Sequence, residues 1–211
     1  GAAGIGGYLA GVIEHMIMLH VIRILLKNDS TQLKHLIFII DRPTGFFGQT
    51  ARLHILMTEL VNWLFSNHEL FLVGLEKSGA FVDHARELQQ TMKSGAYLVL
   101  GDDYIYRYIT PGTGNPDAPY ASTSYYGHKV IFKSPSGEMY VLSVPVKKLL
   151  KNPRVSDIAN LNQILTLVES LHCDMYESAV LPVALANKLV SLSDRPSSEI
   201  LKAFARKNVS Q

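Results

Sequence analysis

The 211 residues carry 20 Lys and Arg against 18 Asp and Glu, with only 18% of them charged and 47% hydrophobic. That charged share lies below the roughly 25% usual for soluble domains, so much of the chain is core, and disordered, collagen-like and coiled-coil readings are excluded. The single cysteine, Cys173, excludes an internal disulfide and a cysteine-rich zinc site, while a formal net charge of +2 neither advertises nor excludes a nucleic-acid binder.

Residues 1–7 lack an initiator Met and read as a fragment boundary. Residues 8–27 hold no proline and predict one long helix, stopped by Asn28-Asp29-Ser30. Its length and apolar character raise the question of a membrane span. Glu14, His15, His20 and Arg23 argue against one, since a charge at mid-bilayer costs about 2.5–3.5 kcal/mol. No basic stretch with a small-residue cleavage site marks a secretory signal, and nothing in the cysteine usage asks for an oxidising compartment, so the expected location is cytoplasmic.

Residues 36–40, Leu-Ile-Phe-Ile-Ile, form an unbroken apolar run, the mark of a strand covered on both faces, and Asp41-Arg42-Pro43-Thr44-Gly45 stops it. Residues 50–65 then show helical periodicity, with Leu53, Leu56, Met57, Leu60, Val61 and Leu64 on one stripe. A second buried strand is expected at 70–75, a helix at 81–92 and a third short strand at 97–100, followed by Gly101-Asp102-Asp103. Residues 110–124 are rich in Pro, Gly and Ser and read as a loop. Residues 130–133 and 139–144 flank Ser134-Pro135-Ser136-Gly137 as a β-hairpin. Helices are expected at 158–171, at 180–190 with Pro182 in the first turn, and at 198–207. Strands alternating with helices predict an α/β layer fold, a single domain over 1–211, with a largely parallel sheet and one antiparallel hairpin.

Each of the three early strands ends in acid: Asp41, then Glu76 with Lys77, then Asp102 and Asp103. In α/β sheets ligands bind beyond the carboxyl ends of the strands, and gathered carboxylates are what Mg²⁺ or Mn²⁺ requires. The plainer alternative is that strands end in polar residues where they reach the surface. Glu14 is more pointed, because its helical-wheel neighbours Gly7, Ala10, Gly11, Ile17, Met18 and Val21 are small or apolar. A carboxylate on that face must be paired, neutralised or metal-bound, with a salt bridge to Lys77 the structural alternative. The small residues at 7, 10 and 11 are expected to let the helix approach the sheet closely.

Other signals are weaker. Cys173 follows His172, but helix neighbours point apart, so a thiol nucleophile is not expected. There is no phosphate-cradling glycine loop and no close histidine spacing suited to a metal. Tyr104, Tyr106, Tyr108, Tyr120, Tyr125 and Tyr126, with Arg107, His128 and Lys129, have the composition of a single-strand stacking surface, or of ordinary sheet packing.

Phe38-Ile39-Ile40-Asp41-Arg42-Pro43-Thr44-Gly45-Phe46-Phe47-Gly48 resembles the strand-end motif of the NurA nucleases. Leu72-Val73-Gly74-Leu75-Glu76-Lys77-Ser78-Gly79 is similar to the strand that follows it in that family, including its lysine. Glu14 matches the family's helix-borne acid, and Leu181-Pro182-Val183-Ala184-Leu185-Ala186-Asn187 its C-terminal helix. The resemblance implies an RNase H-like mixed sheet flanked by helices, a homodimer, dependence on Mn²⁺ or Mg²⁺, and 5′ to 3′ DNA-end processing. The implied partner is a HerA-type hexameric ATPase, in end resection or anti-phage defence. Glu14 and Asp41 would be catalytic metal ligands and Lys77 a catalytic phosphate contact; Tyr126 would orient the nucleic acid, and Glu76, Asp102 and Asn187 are further candidates.

Three features depart from the family pattern. Its first acidic motif, Asp-Gly-Ser on an earlier strand, has no counterpart in these residues and is expected before residue 1. Arg42 stands where the family has glycine, and Asn187 where it often has histidine, an exchange that removes a proton-transfer group. The departures keep a second class of function in view, a non-catalytic scaffold or interaction subunit on the nuclease fold. A single-strand binding module built on the tyrosines is the third.

Overall fold

The structure, a computed structural model, describes residues 2–112, 114–115, 117–173 and 180–190. Helix α1 (Ala2–Asn28) leads through a 3₁₀ turn, Ser30–His35, into β1 (Ile37–Ile40). Asp29 caps that turn by accepting the Thr31 N–H at 3.0 Å. Then come α2 (Leu53–Asn67), β2 (Phe71–Glu76), α3 (Ala80–Leu88) and β3 (Tyr97–Val99). A short α4 (Asp102–Tyr104) runs on into a π-helical turn, Ile105–Ile109. The hairpin of β4 (Gly127–Lys133) and β5 (Met139–Pro145) follows, then α5 (Leu161–Ser170) and α6 (Leu181–Val190). The helix expected at 198–207 lies outside the described residues.

The five strands form one mixed sheet in the order β1-β2-β5-β4-β3, flanked by helices. Only β1 and β2 pair in parallel, with Ile37 opposite Phe71 and Ile40 opposite Gly74; the other three ladders are antiparallel. The expectation of a largely parallel sheet is thereby corrected, while the antiparallel hairpin is where the sequence put it. Unbroken apolar runs signal burial on both faces, and here β4 and β5 achieve that burial in an antiparallel arrangement. One consequence bears on function. Because β3 runs against β1 and β2, its carboxyl end lies at the opposite end of the sheet from theirs, so the three acidic strand ends do not converge.

Alternation along the strands divides the core. Phe71, Val73 and Leu75 point with Leu142, Val144 and Val130 to one face, where Leu161, Ile164, Leu165 and Val168 of α5 and Val183 of α6 cover them. The other face carries two clusters: Ile40 and Leu72 under α1 and α2, and Ile131, Met139 and Val141 under α3 and the π-helical turn. Between them runs a polar row, Gly74, Ser143 and Lys129, fixed side by side by the strand register.

Strand β1 is the sheet edge, so Ile37, Phe38 and Ile39 are only half-buried although both their faces are covered. Helix α1 buries His15, Met18 and Ile22 at helical spacing and leaves Leu9, Ile13, Met16 and Ile17 exposed. The segment Gly6–Asn28 is long and apolar enough to cross a membrane by length and composition. Its small residues do not seat it on the sheet. A side chain at Gly7 would meet nothing within 4 Å, whereas Gly11 packs against the Arg42 guanidinium.

Candidate active site

The residues after β1 make a tight crossing over the sheet. Thr44 anchors it: its N–H donates to Ser143 Oγ at 3.2 Å, the two hydroxyls are hydrogen-bonded, and its carbonyl accepts the Tyr126 N–H at 3.0 Å. Gly74 makes room for it, since a Cβ there would collide with the Arg42 carbonyl oxygen and stand 2.9 Å from the Thr44 nitrogen. Asp41, the first residue of the crossing, is held at the carboxyl end of β1 with its side chain exposed.

Helix α1 brings Glu14 to the same place. Its Oε1 accepts the Asp41 backbone N–H at 3.1 Å, and its Oε2 meets Arg42 Nε at 2.5 Å. Lys77, just beyond β2, donates to Asp41 Oδ2 at 2.9 Å. Asn187 of α6 reaches the same oxygen from the other side of the sheet, Nδ2 to Oδ2 at 3.4 Å. Four of the residues singled out in the sequence therefore meet at one point: Glu14, Asp41, Lys77 and Asn187. Glu14, Asp41 and Asn187 border a cavity of about 790 Å³ that runs along β1, with Arg42, Pro182 and Val183 among its other lining residues.

The remaining candidates lie elsewhere. Glu76 turns inward from β2 and pairs with the equally buried Lys129. The Lys129 ammonium also lies 4.2 Å from the Tyr125 ring centroid and 5.1 Å from that of Phe81. Burial pulls the Lys129 pKa down, opposed by the Glu76 carboxylate and its hydrogen bond. Asp102 accepts the Tyr120 N–H with both oxygens, at 3.0 and 3.1 Å, and burial raises its pKa against those bonds. Tyr126 is 1% exposed and cannot reach a nucleic acid from that position. Its hydroxyl meets His15 Nε2 at 2.8 Å. The tyrosines proposed as a stacking surface pack largely on one another, Tyr106 and Tyr125 both against Tyr120. Cys173 is buried, and the neighbouring His172 Nδ1 bonds the Tyr140 hydroxyl at 2.7 Å.

The salt bridge expected for Glu14 goes to Arg42, and Lys77 serves Asp41 instead. Arg42 follows Asp41 directly, so its stem starts on the α1 side of the crossing and the bare Gly11 leaves space for the guanidinium along the helix. His15 is a supporting residue that sequence reasoning overlooked. Its Nδ1 lies 2.7 Å from the Gly11 carbonyl, which can only accept, so Nδ1 carries the proton and Nε2 accepts from Tyr126. Burial lowers its pKa and keeps it neutral, and the pair pins α1 with Glu14 facing the crossing. The available signal was spacing: His15, Met18 and Ile22 share one helical face.

Glu14 and Asp41 offer hard oxygen donors of the kind Mg²⁺ and Mn²⁺ take, and two carboxylates suffice for ions that keep waters and bind substrate oxygens. Both side-chain bonds to the Asp41 carboxylate fall on Oδ2, the atom shared by Lys77 and Asn187. The donor set fits such an ion in kind, with Arg42 and Lys77 now standing as its counter-charges. Among the described residues no group of three or more His, Cys, Asp or Glu side chains is gathered as a metal site. Comparison of the chain with protein-family models, with curated proteins and with solved structures finds no match.

Proposed function

We propose that the protein is a metal-dependent DNA nuclease subunit, an RNase H-like relative of the NurA nucleases, with Glu14 and Asp41 as the carboxylates of its active site. The observation that carries this reading is the meeting of an acid from a helix with an acid from a strand end, beside a lysine, on the border of an open cavity. A divalent cation bound there supplies charge neutralisation at a phosphate and an activated water. Glu14 and Asp41 would hold it. Lys77 neutralises Asp41 and is half-exposed, so its ammonium is open to a phosphate oxygen brought up to Asp41. Asn187 orients Asp41 by donating to Oδ2. Location in the cytoplasm, a HerA-type ATPase partner and a homodimer belong to the same reading. The exposed apolar residues of α1, Leu9, Ile13, Met16 and Ile17, are consistent with a covered helix face.

One observation favours the second reading, a scaffold subunit that retains the fold: each carboxylate is already satisfied by a basic side chain of the chain itself. End-labelled linear DNA incubated with Mn²⁺ separates the two. The nuclease reading expects cleavage that needs the metal and is lost in Asp41→Ala. No cleavage by a chain whose circular dichroism shows it folded would favour the scaffold.

A further inference from the structure

The four charges at the site cancel: Glu14 and Asp41 against Arg42 and Lys77. The two cations are nonetheless held differently. Lys77 presents a point charge to Asp41, whereas Arg42 presents Nε to Glu14 and lays Nη1 over Gly11, 2.5 Å from where a Cβ would stand. Arg42 and Glu14 keep 30% and 32% of their side chains in solvent, beside the cavity. An ion pair so exposed is weak, and a divalent cation shared by two carboxylates competes with it effectively. A released guanidinium then has no carboxylate partner, and its planar fork of donors matches a phosphate.

We infer that Arg42 is the resident counter-ion of Glu14 and becomes a binding residue for a nucleic-acid backbone phosphate when a divalent cation takes its place. The inference rests on the proposed cation site and adds an order to its filling: metal displaces the guanidinium, and the guanidinium engages the DNA. Gly11 belongs to the device because any larger residue there pushes the guanidinium off the helix. Metal and DNA then bind cooperatively, each favouring the arrangement in which Arg42 has left Glu14.

The test measures Mn²⁺ affinity by electron paramagnetic resonance, and binding of a short phosphorothioate single-stranded DNA by fluorescence anisotropy in Mn²⁺ across a salt series. Arg42→Gln is expected to bind Mn²⁺ about fivefold more tightly, since one exposed ion pair no longer competes. Its DNA affinity is expected to fall about tenfold, with a salt slope shallower by about one. Gly11→Ala, which keeps every charge, should shift Mn²⁺ affinity in the same direction. Equal Mn²⁺ affinity in wild type and Arg42→Gln, or an unchanged salt slope, overturns the inference and leaves the cation site standing. Absence of Mn²⁺ binding in every form overturns the site along with it.

Discussion

Glu14 and Asp41, 27 positions apart in the chain, are joined by a hydrogen bond of 3.1 Å from the Asp41 backbone N–H to Glu14 Oε1. The bond fixes the end of an edge strand to a helix packed across it, and it aims two carboxylates at one cavity. Glu14→Gln keeps an acceptor for that N–H but removes the charge. The expected result is a stability change below about 1 kcal/mol, because the ion pair lost is one-third exposed. Metal-dependent cleavage is expected to fall about 100-fold or more. Urea unfolding and cleavage rates measured on the same preparation check both halves.

Gly74 is a sensitive position outside the charged cluster. A methyl group there presses on the backbone of Arg42 and Thr44, which cannot yield as a flexible side chain would. Gly74→Ala should destabilise by about 1–3 kcal/mol and weaken Mn²⁺ binding by shifting Asp41. A variant of unchanged stability and unchanged Mn²⁺ affinity would show that the crossing is not held where the structure has it.

Glu76 and Lys129 form a buried pair, at 7% and 2% exposure, with Lys129 on the polar row that divides the two clusters of one sheet face. Breaking it from one side strands a charge in the core. Lys129→Met alone is expected to cost about 3–5 kcal/mol, and Glu76→Leu with Lys129→Met together much less. A double-mutant cycle by urea denaturation reads the difference; a double-variant loss equal to the sum of the Glu76→Leu and Lys129→Met losses would mean the two charges are not coupled.

His128 sets a pH dependence. Leu150 donates its N–H to His128 Nε2 at 3.2 Å, and burial pushes the imidazole pKa from 6.5 down to about 4. The unfolded chain takes up the proton near 6.5 and the folded chain only near 4, so this contribution is complete above 6.5 and is lost as the pH falls toward 4. The span corresponds to about 3 kcal/mol. His15, lowered by burial, acts in the same direction. Unfolding midpoints between pH 4 and 7 should fall with acidification, and less steeply in His128→Gln, whose amide oxygen still accepts from Leu150. Parallel curves for the two proteins would contradict the assignment.

Periodicity made the elements legible, because a strand covered on both faces and a one-sided helix leave different traces in sequence. Residues 36–40 and 70–75 were readable as buried strands for that reason, and the hairpin by its Ser134-Pro135-Ser136-Gly137 turn. Strand direction leaves no such trace, so Asp102 and Asp41 looked alike as strand-end acids until β3 proved to run the other way. That Glu14 and Asp41 come together was anticipated from their motifs, with Lys77 expected at Glu14 or at a phosphate and Asn187 named only as a further candidate. Which base serves which acid was not, because it depends on Gly11 leaving space for Arg42. Tyr126 and Glu76 were misjudged for one cause: a polar residue with a buried partner, His15 or Lys129, reads in sequence like a residue free to act.

The proposed activity stands or falls on a divalent cation held by Glu14 and Asp41. Anomalous diffraction from crystals soaked in Mn²⁺ tests it most directly. A peak is expected about 2.2 Å from a carboxylate oxygen of each residue, with the Arg42 guanidinium turned away from Glu14. No peak at Glu14 and Asp41, with Arg42 and Lys77 still paired to them at saturating Mn²⁺, would contradict it.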